Sequence, residues 1–329
     1  MFIVTGSAGF IGSNLIHTLN AWGQTDILCV DRLQPASKFR NLLGAEISDF
    51  VDLDDFRRKI QADCLPAAPI QAIFHQGACS NTLEDDGRFM LDNNFTYSKE
   101  LLHFALRHRI PFVYASSAAV YGLSRNFAEQ PENEKPLNVY GYSKLLFDNY
   151  VRRILPAAES TVVGLRYFNA YGPREEHKGR MASTAHHFAR ELRETGEIRL
   201  FEGSGGYPDG EQRRDFVYVD DLCRMTLFFA GLADGQGESL AATAPAPPVH
   251  RGIFNAGTGV SHSFNEMAAA VAAAVDLPLQ IQYVPFPEDL RKRYQHYTQA
   301  DLDQLRQAGY RRLPSPLNLG VKLSLSASN

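Results

Sequence analysis

The sequence predicts an α/β fold in which a doubly wound parallel sheet is followed by a smaller C-terminal lobe. Short apolar runs alternate with segments of helical spacing through the first half of the chain. Strands that alternate with helices in this way build parallel sheets with helices on both faces. A glycine-rich turn joins the first apolar run to the first helical segment. The length of 329 residues also exceeds a usual single domain of roughly 100 to 200 residues.

The first part of the chain, residues 1–170, holds the predicted sheet. Apolar runs predict strands over residues 2–5, 26–30, 72–75, 112–116 and 162–167. Apolar side chains recur at helical spacing over residues 13–22, 97–108 and 143–155. Because such folds bind their ligands at the C-terminal ends of the strands, we expect the functional residues to gather there.

The second part, residues 171–329, is expected to form mostly the smaller lobe, with some segments returning to the core. A helix is predicted near residues 181–194 and a strand near residues 198–201. Residues 241–248 are rich in alanine and proline and predict a surface loop. The serine- and leucine-rich tail after Pro314 has weak periodicity and predicts no clear final amphipathic helix.

Charge and composition exclude several classes of protein. The 33 basic and 37 acidic residues give a net charge of −4, which predicts no basic surface for nucleic acid. No apolar run approaches the ~18 residues that a membrane span needs, and no basic leader precedes the first strand. We therefore expect a cytoplasmic protein without membrane contact. Four widely spaced cysteines without a Cys-x-x-Cys pair predict buried reduced thiols rather than a disulfide framework or a zinc site.

A glycine-rich turn near the N-terminus is typical of dinucleotide binding. Gly6, Gly9 and Gly12 follow the first strand with the spacing G-x-x-G-x-x-G and lead into a helix. Glycines allow a tight turn in which backbone N–H groups approach a pyrophosphate at the positive end of the helix. The more usual spacing is G-x-G-x-x-G. The position between strand and helix nevertheless predicts a sheet of the Rossmann type.

Charged residues at the end of the second predicted strand are candidates for contacts with an adenosine ribose. Asp31 stands where a carboxylate can accept hydrogen bonds from the ribose hydroxyls. Arg32 and Lys38 follow it closely, and a basic pair at this place could hold a 2′-phosphate. The expected cofactor is therefore NADP, with NAD as the open alternative.

Tyr140, Lys144 and Ser117 predict acid–base chemistry. The first two stand four residues apart at the start of a helix, so their side chains share a face. A neighbouring ammonium favours a phenolate, and we expect Lys144 to bring the pKa of Tyr140 toward neutrality. The tyrosine could then exchange a proton with a sugar hydroxyl. Ser117, at the end of the preceding strand, could hydrogen-bond the reacting oxygen.

Together these residues resemble the extended short-chain dehydrogenase/reductase family over nearly the whole chain. The shared segments are TGSAGFIG at residues 5–12, Gln76-Gly77-Ala78, the serine-ended strand, Tyr140-x-x-x-Lys144 and RYFNAYGP at residues 166–173. Four segments are most similar to the members of the family that act on ADP-linked heptoses. These are HQGACS, KPLNVYGYSK, GPREEHKGRMAS and FEGS, which begin at residues 75, 135, 172 and 201.

The resemblance implies an isomerase that inverts the 6-position of an ADP-glycero-manno-heptose, from D-glycero to L-glycero, for lipopolysaccharide inner-core precursor synthesis. Bound NADP would oxidise this carbon transiently and reduce it again from the other face. Inversion then needs two proton carriers, and matching positions assign them to Tyr140 and Lys178. Lys144 and Ser117 complete the implied catalytic set. A homo-oligomer is implied as well.

Matching positions also imply which residues contact the two ligands. Those expected at the cofactor are Gly6, Gly9, Phe10, Ile11, Gly12, Asp31, Arg32, Lys38, Gln76, Gly77, Ala78, Cys79, Ser80, Asn93, Lys144, Ala170 and Lys178. Those expected at the substrate are Asn169, Arg180, His187, Phe201, Glu202, Gly203, Ser204, Arg214 and Tyr294. Arg213 is a further candidate for the pyrophosphate, since guanidinium groups match phosphate oxygens. His186 and His187 do not share a helix face, so no metal is expected.

The sequence departs from the family pattern at some positions, and other functions stay open. Leu53 stands where the family often offers a lysine to the cofactor, and Gln76 replaces a common glutamate. One alternative function is a nucleotide-hexose 4-epimerase or 4,6-dehydratase, although Ala118 and Ala119 stand where a dehydratase would carry an acidic pair. The other alternative is a catalytically silent dinucleotide-binding redox sensor.

Overall fold

The computed structural model describes residues 1–65, 69–240, 248–288 and 294–326. Its strands are β1 (Phe2–Thr5), β2 (Ile27–Asp31), β3 (Asp49–Asp52), β4 (Ala72–His75), β5 (Phe112–Ser117), β6 (Val162–Tyr167), β7 (Asn169–Tyr171), β8 (Ile198–Phe201), β9 (Arg213–Arg214), β10 (Phe216–Tyr218), β11 (Arg251–Ala256), β12 (His262–Ser263) and β13 (Ile281–Val284). Its α-helices are α1 (Phe10–Ala21), α2 (Leu53–Gln61), α3 (Gly87–Leu91), α4 (Tyr97–Arg107), α5 (Val139–Ile154), α6 (Thr184–Thr195), α7 (Val219–Phe229), α8 (Phe264–Val275), α9 (Asp303–Gln307) and α10 (Leu317–Ser326). Short 3-10 helices cover Ala36–Leu42, Ala118–Tyr121, Pro131–Asn133, Leu155–Ala157 and Glu176–Met181, and a π-helical turn covers Asp92–Thr96.

Seven of the described strands form one parallel sheet in the order β11-β6-β5-β4-β1-β2-β3. The chain builds the sheet in one direction from β1 to β3 and in the other from β4 to β6. The predicted doubly wound sheet of the Rossmann type is thereby confirmed. Where the order reverses, between β1 and β4, a crevice opens at the C-terminal edge of the sheet, and ligands of such folds bind there.

Helices cover both faces of this sheet. Phe2 and Val4 of β1 pack in the core shared with α1 and α7, whereas Ile3 packs in the core shared with α2, α4 and α5. Successive side chains of a strand point to opposite faces. Because both faces of β1, β2, β4 and β6 are buried, these strands have no solvent-exposed side, which explains the apolar runs from which they were predicted.

A smaller lobe forms around a third core, in which α6, α8 and α10 pack with β8 and β10. Helix α8 begins with a capping box, because Ser263 Oγ accepts a hydrogen bond from the Glu266 N–H (3.1 Å) and the Glu266 carboxylate accepts one from the Ser263 N–H (2.6 Å). Strand β11 does not belong to this lobe, since it pairs with β6 at the edge of the main sheet.

The described part of the tail after Pro314 contains helix α10, so the expectation of no clear final helix is wrong. Leu317, Val321 and Leu325 share one face of α10 and are buried in the core of the smaller lobe, mainly against α8. Their spacing of four residues was the available signal. Tertiary burial rather than intrinsic propensity stabilises this segment.

Two further expectations concern the cysteines and the loop at residues 241–248. All four cysteines are free, and Cys29 and Cys223 are buried, but Cys79 is only half-buried and Cys64 is exposed. The prediction of buried thiols is therefore correct for Cys29 and Cys223 and wrong for Cys64 and Cys79. Residues 241–247 of the predicted loop lie outside the described residues.

None of the described helices is long and apolar enough to cross a membrane.

Candidate active site

A cleft of about 780 Å³ lies at the C-terminal edge of the sheet, beside the reversal between β1 and β4. Its walls come from the β1–α1 turn, the end of β2, the residues after β4, the end of β5, the start of α5 and the segment after β6. These elements are far apart in the chain, and the parallel sheet brings their ends together. The cleft thus collects most of the residues that the sequence singled out.

The β1–α1 turn forms one wall and depends on glycine. Gly6 has a φ of +65°, and a Cβ added at Gly12 would lie 2.1 Å from the Gly6 carbonyl oxygen. Gly9 caps α1 without a side-chain hydrogen bond, so the first N–H groups of the helix are left for a ligand. Free N–H groups at a positive helix end suit a pyrophosphate, and the residues present therefore fit a dinucleotide.

Asp31, Arg32 and Lys38 meet at the end of β2, as the sequence suggested. The Asp31 carboxylate accepts a hydrogen bond from the Ala8 N–H (2.8 Å) and pairs with the Lys38 ammonium. Lys38 also donates to the Arg32 carbonyl (2.9 Å), and the Arg32 guanidinium pairs with Asp54 at 2.5 Å. All three predicted residues line the cleft, with Leu53 beside them.

Ser117, Tyr140 and Lys144 line the same cleft at the junction of β5 and α5. Helix α5 begins at Val139, where the Asn138 side chain accepts a hydrogen bond from the Gly141 N–H (2.8 Å). Tyr140 therefore lies in the first turn, at the start of a helix as predicted. Burial raises the pKa of Tyr140, and the hydrogen bond with Ser117 opposes this effect.

The expectation that Lys144 lowers the pKa of Tyr140 is therefore wrong, because burial raises this pKa. The Lys144 ammonium donates to the Ala115 carbonyl (2.8 Å). Burial lowers the pKa of Lys144 to about 8, and the nearby Asp148 carboxylate opposes this effect. In consequence the Tyr140 phenol keeps its proton at neutral pH. The pKa of Lys144 lies closer to neutral pH than that of a free lysine.

The turn after β4 contributes Gln76, Gly77, Ala78, Cys79 and Ser80 to the cleft. Asn94, which sequence reasoning missed, holds this turn: its Oδ1 accepts from the Cys79 N–H (2.8 Å) and its Nδ2 donates to the Cys79 carbonyl (2.9 Å). The neighbouring Asn93 lines the cleft itself. An asparagine among polar helical residues gives no local signal for such a contact.

Asn169, Ala170 and Lys178 approach the cleft from the segment after β6. The Lys178 Nζ lies 4.7 Å from the centre of the Phe10 ring, and its side chain is 21% exposed. The predicted second proton carrier therefore faces the cleft beside the start of α1. It comes from a different element than Tyr140, as two separate carriers would require.

The predicted substrate residues of the smaller lobe form a second cluster, centred on an arginine. The Arg214 guanidinium carbon lies 4.9 Å from the centre of the Tyr294 ring, and the Phe201 ring contacts Tyr294 at 6.4 Å between centres. Burial lowers the pKa of Arg214. Ser204 Oγ accepts a hydrogen bond from the Gln212 side chain (3.0 Å), and Glu202 and Gly203 are exposed beside it.

Other predicted residues stand apart from both groups. Arg180 is exposed on the segment after β7, and His187 is half-buried on α6. Arg213, the further pyrophosphate candidate, donates to the Ser261 carbonyl (2.7 Å) and to the Glu266 carboxylate (3.1 Å). Its guanidinium group is therefore used in contacts within the protein. Among the residues described, no group of three or more His, Cys, Asp or Glu side chains could hold a metal ion.

Several side chains of the cleft were not singled out from the sequence. They include Phe89, Met181, Ser183, Thr184 and Phe216. Met181 and Ser183 belong to the segment GPREEHKGRMAS, which resembles the family. Their closeness to Lys178 in the sequence was the available signal that they line the site. Phe89 lies in the middle of α3 and Phe216 at the start of β10. The sequence does not distinguish such apolar residues from core residues.

Comparison with protein families identifies a match to the NAD dependent epimerase/dehydratase family over residues 2–240. A protein of Alkalilimnicola ehrlichii named ADP-L-glycero-D-manno-heptose-6-epimerase is 54% identical over 99% of this chain and 97% of its own length. A protein of the same name from Pseudomonas aeruginosa is 51% identical over 94% of this chain and 93% of its own.

Solved structures of epimerases are also similar to this chain. The crystal structure of the Helicobacter pylori ADP-L-glycero-D-manno-heptose-6-epimerase is similar with a TM-score of 0.79 and 29% identity, over 99% of this chain and 95% of that one. The Thermus thermophilus UDP-glucose 4-epimerase in complex with NAD is similar with a TM-score of 0.75 and 26% identity, over 99% and 98% of the two chains.

Proposed function

Since the chain belongs to the NAD dependent epimerase/dehydratase family, we propose that it inverts the 6-position of an ADP-glycero-manno-heptose, from D-glycero to L-glycero. The names of its relatives at 51% and 54% identity support this substrate. One observation carries the proposal: a single cleft contains a buried phenol beside a serine and, from another element, a lysine. The product would serve as a precursor of the lipopolysaccharide inner core.

The chemistry follows from the two carriers. A bound nicotinamide dinucleotide would take a hydride from the sugar carbon and return it. Tyr140 exchanges a proton with the sugar oxygen on one side, and Lys178 exchanges one on the other side. Ser117 hydrogen-bonds the same oxygen as Tyr140 does. Lys144, one helical turn away, completes the catalytic set, with its ammonium held at the Ala115 carbonyl (2.8 Å).

The test of the function uses the cofactor-loaded protein and two substrates. Purified protein is incubated with ADP-D-glycero-D-manno-heptose and, separately, with UDP-glucose, and the products are followed by NMR. We expect conversion of the heptose to the L-glycero epimer and no change in UDP-glucose. Conversion of UDP-glucose alone would favour a 4-epimerase. Conversion of neither by folded, cofactor-loaded protein would favour the silent redox sensor.

We further propose that the dinucleotide is NADP, held at its 2′-phosphate by Arg32 and Lys38. Both side chains line the cleft beside Asp31, which would contact the ribose. Replacement of Lys38 by methionine should weaken NADP binding roughly 10- to 100-fold, since one charge-assisted hydrogen bond is lost. The affinity for NAD should stay within about twofold, because NAD has no 2′-phosphate. Titration of cofactor-free protein with each dinucleotide measures both.

The matched control is Arg40→Gln, which removes a like charge from the same short helix at an exposed position. It should leave both affinities unchanged. Equal weakening of NAD and NADP by Lys38→Met would contradict the proposed phosphate contact and assign to Lys38 only the support of Asp31. Tighter binding of NAD than of NADP by the unmodified protein would contradict the NADP proposal itself.

A further inference from the structure

Glu175 is a buried carboxylate in the segment of residues 172–183, which carries Lys178. Its side chain is 1% exposed and accepts hydrogen bonds from both ends of the segment: from the Gly172 N–H (3.4 Å), the Ser183 N–H (2.6 Å) and the Ser183 hydroxyl (2.5 Å). The Lys178 ammonium lies 3.4 Å from the same carboxylate. One side chain therefore connects the two ends of the segment with the amine between them.

Other contacts place this segment against the β1–α1 turn. The Asn41 amide donates to the Ala8 carbonyl (2.9 Å) and contacts His177 Nδ1 at 2.9 Å. Arg174 donates to the Asn14 side chain on α1 (2.9 Å). These contacts hold the backbone around Lys178, but its long side chain is still free to rotate about four carbon bonds. Among the described residues, the Glu175 carboxylate is the charged group paired with this amine, which also lies over the Phe10 ring (4.7 Å).

We propose that Glu175 is the positioning residue for Lys178, holding its amine in the cleft where it can meet the substrate. The inference rests on the proposed function of Lys178 as the second proton carrier. A flexible lysine without a partner would spend most of its time in solvent, since ordering it costs rotamer entropy. A carboxylate fixed by three further donors can hold the amine because the carboxylate has little freedom itself.

The experiment compares Glu175→Gln with Glu176→Gln in the cofactor-loaded protein. Glu176 is the exposed neighbour, so its replacement removes the same charge from the same segment. For E175Q we expect kcat to fall on the order of 100-fold, as for a misplaced reacting group. KM for the ADP-heptose and the affinity for the dinucleotide should change less than about twofold, because the amine matters for proton transfer rather than for binding. E176Q should resemble the unmodified protein.

A second measurement does not depend on turnover. Lys178 is labelled with an amine-reactive reagent, and its modification is quantified by peptide mass spectrometry against the exposed Lys59. In E175Q we expect Lys178 to react several-fold faster than in the unmodified protein or E176Q, because the amine leaves the cleft. Should E175Q not fold, Glu175→Asp serves instead, since its shorter carboxylate cannot reach all of its donors, and the same changes are expected.

The outcomes separate the two proposals. If the unmodified protein converts the heptose but E175Q keeps both its kcat and its Lys178 labelling, the positioning role is overturned and the proposed function stands. A parallel loss of kcat and cofactor affinity, without faster labelling, would also overturn it and indicate a structural role. If the unmodified protein converts no heptose, the proposed function fails, while faster labelling in E175Q would still support the restraint of the amine.

Discussion

Replacement of Tyr140 by phenylalanine is expected to lower kcat by roughly 10²- to 10⁴-fold, the usual contribution of a general acid or base. The substitution removes only the hydroxyl oxygen, which forms a hydrogen bond with Ser117 in the cleft. Burial raises the pKa of this phenol, so it holds its proton at neutral pH and is poised to donate. Steady-state kinetics with the ADP-heptose, at fixed cofactor occupancy, measure the effect.

The matched control is Tyr142→Phe. Tyr142 stands in the same first turn of α5, and it is 49% exposed. The same atom is removed there without contact with the cleft, so kcat should stay within about twofold. The dinucleotide should remain bound in both variants, because the Tyr140 ring still fills its place. If Tyr140→Phe turns over as fast as Tyr142→Phe, Tyr140 is not a proton carrier, and the acid–base proposal loses its first member.

Sequence alone could identify the parts of the site that are local in the chain. Gly6, Gly9 and Gly12 belong to one turn, and their requirement for glycine follows from the strand–turn–helix pattern. Tyr140 and Lys144 are separated by one helical turn, which fixes their common face. In both cases the spacing in the sequence already contains the geometry. The parallel, doubly wound character of the sheet was predicted from the alternation of strands and helices.

The residues that sequence reasoning missed act across long separations. Asn94 holds the Cys79 turn, and Asn41 connects His177 with the glycine turn. No pattern in a single sequence shows which asparagine will be buried. The pKa of Tyr140 was misjudged for a similar reason. Spacing shows that Lys144 shares its face, but not that burial outweighs the charge and that the ammonium bonds to Ala115.

The second large effect is expected beneath the site, in a buried ionic network. Arg166 on β6 is 0% exposed and donates to Asp148 (3.0 Å), to Glu134 (2.5 Å) and to the Tyr121 hydroxyl (3.0 Å). Asp148 also accepts from the hydroxyls of Tyr114 and Ser116, both at 3.0 Å. The network joins α5, which carries Tyr140 and Lys144, to β5 and β6.

Arg166→Met should therefore lower the free energy of unfolding by about 3 to 5 kcal/mol, because it leaves the Asp148 carboxylate buried without its ion-pair partner. The Glu134 carboxylate would keep only its pair with Arg152. Urea denaturation of the cofactor-free protein, followed by circular dichroism, measures the change. Arg109→Met is the control, since it breaks the exposed pair of Arg109 with Glu159 (2.7 Å) and should cost no more than about 1 kcal/mol. Equal small losses in both variants would mean that water or proton uptake compensates the buried carboxylates. The network would then contribute to the register of α5 on the sheet rather than to stability.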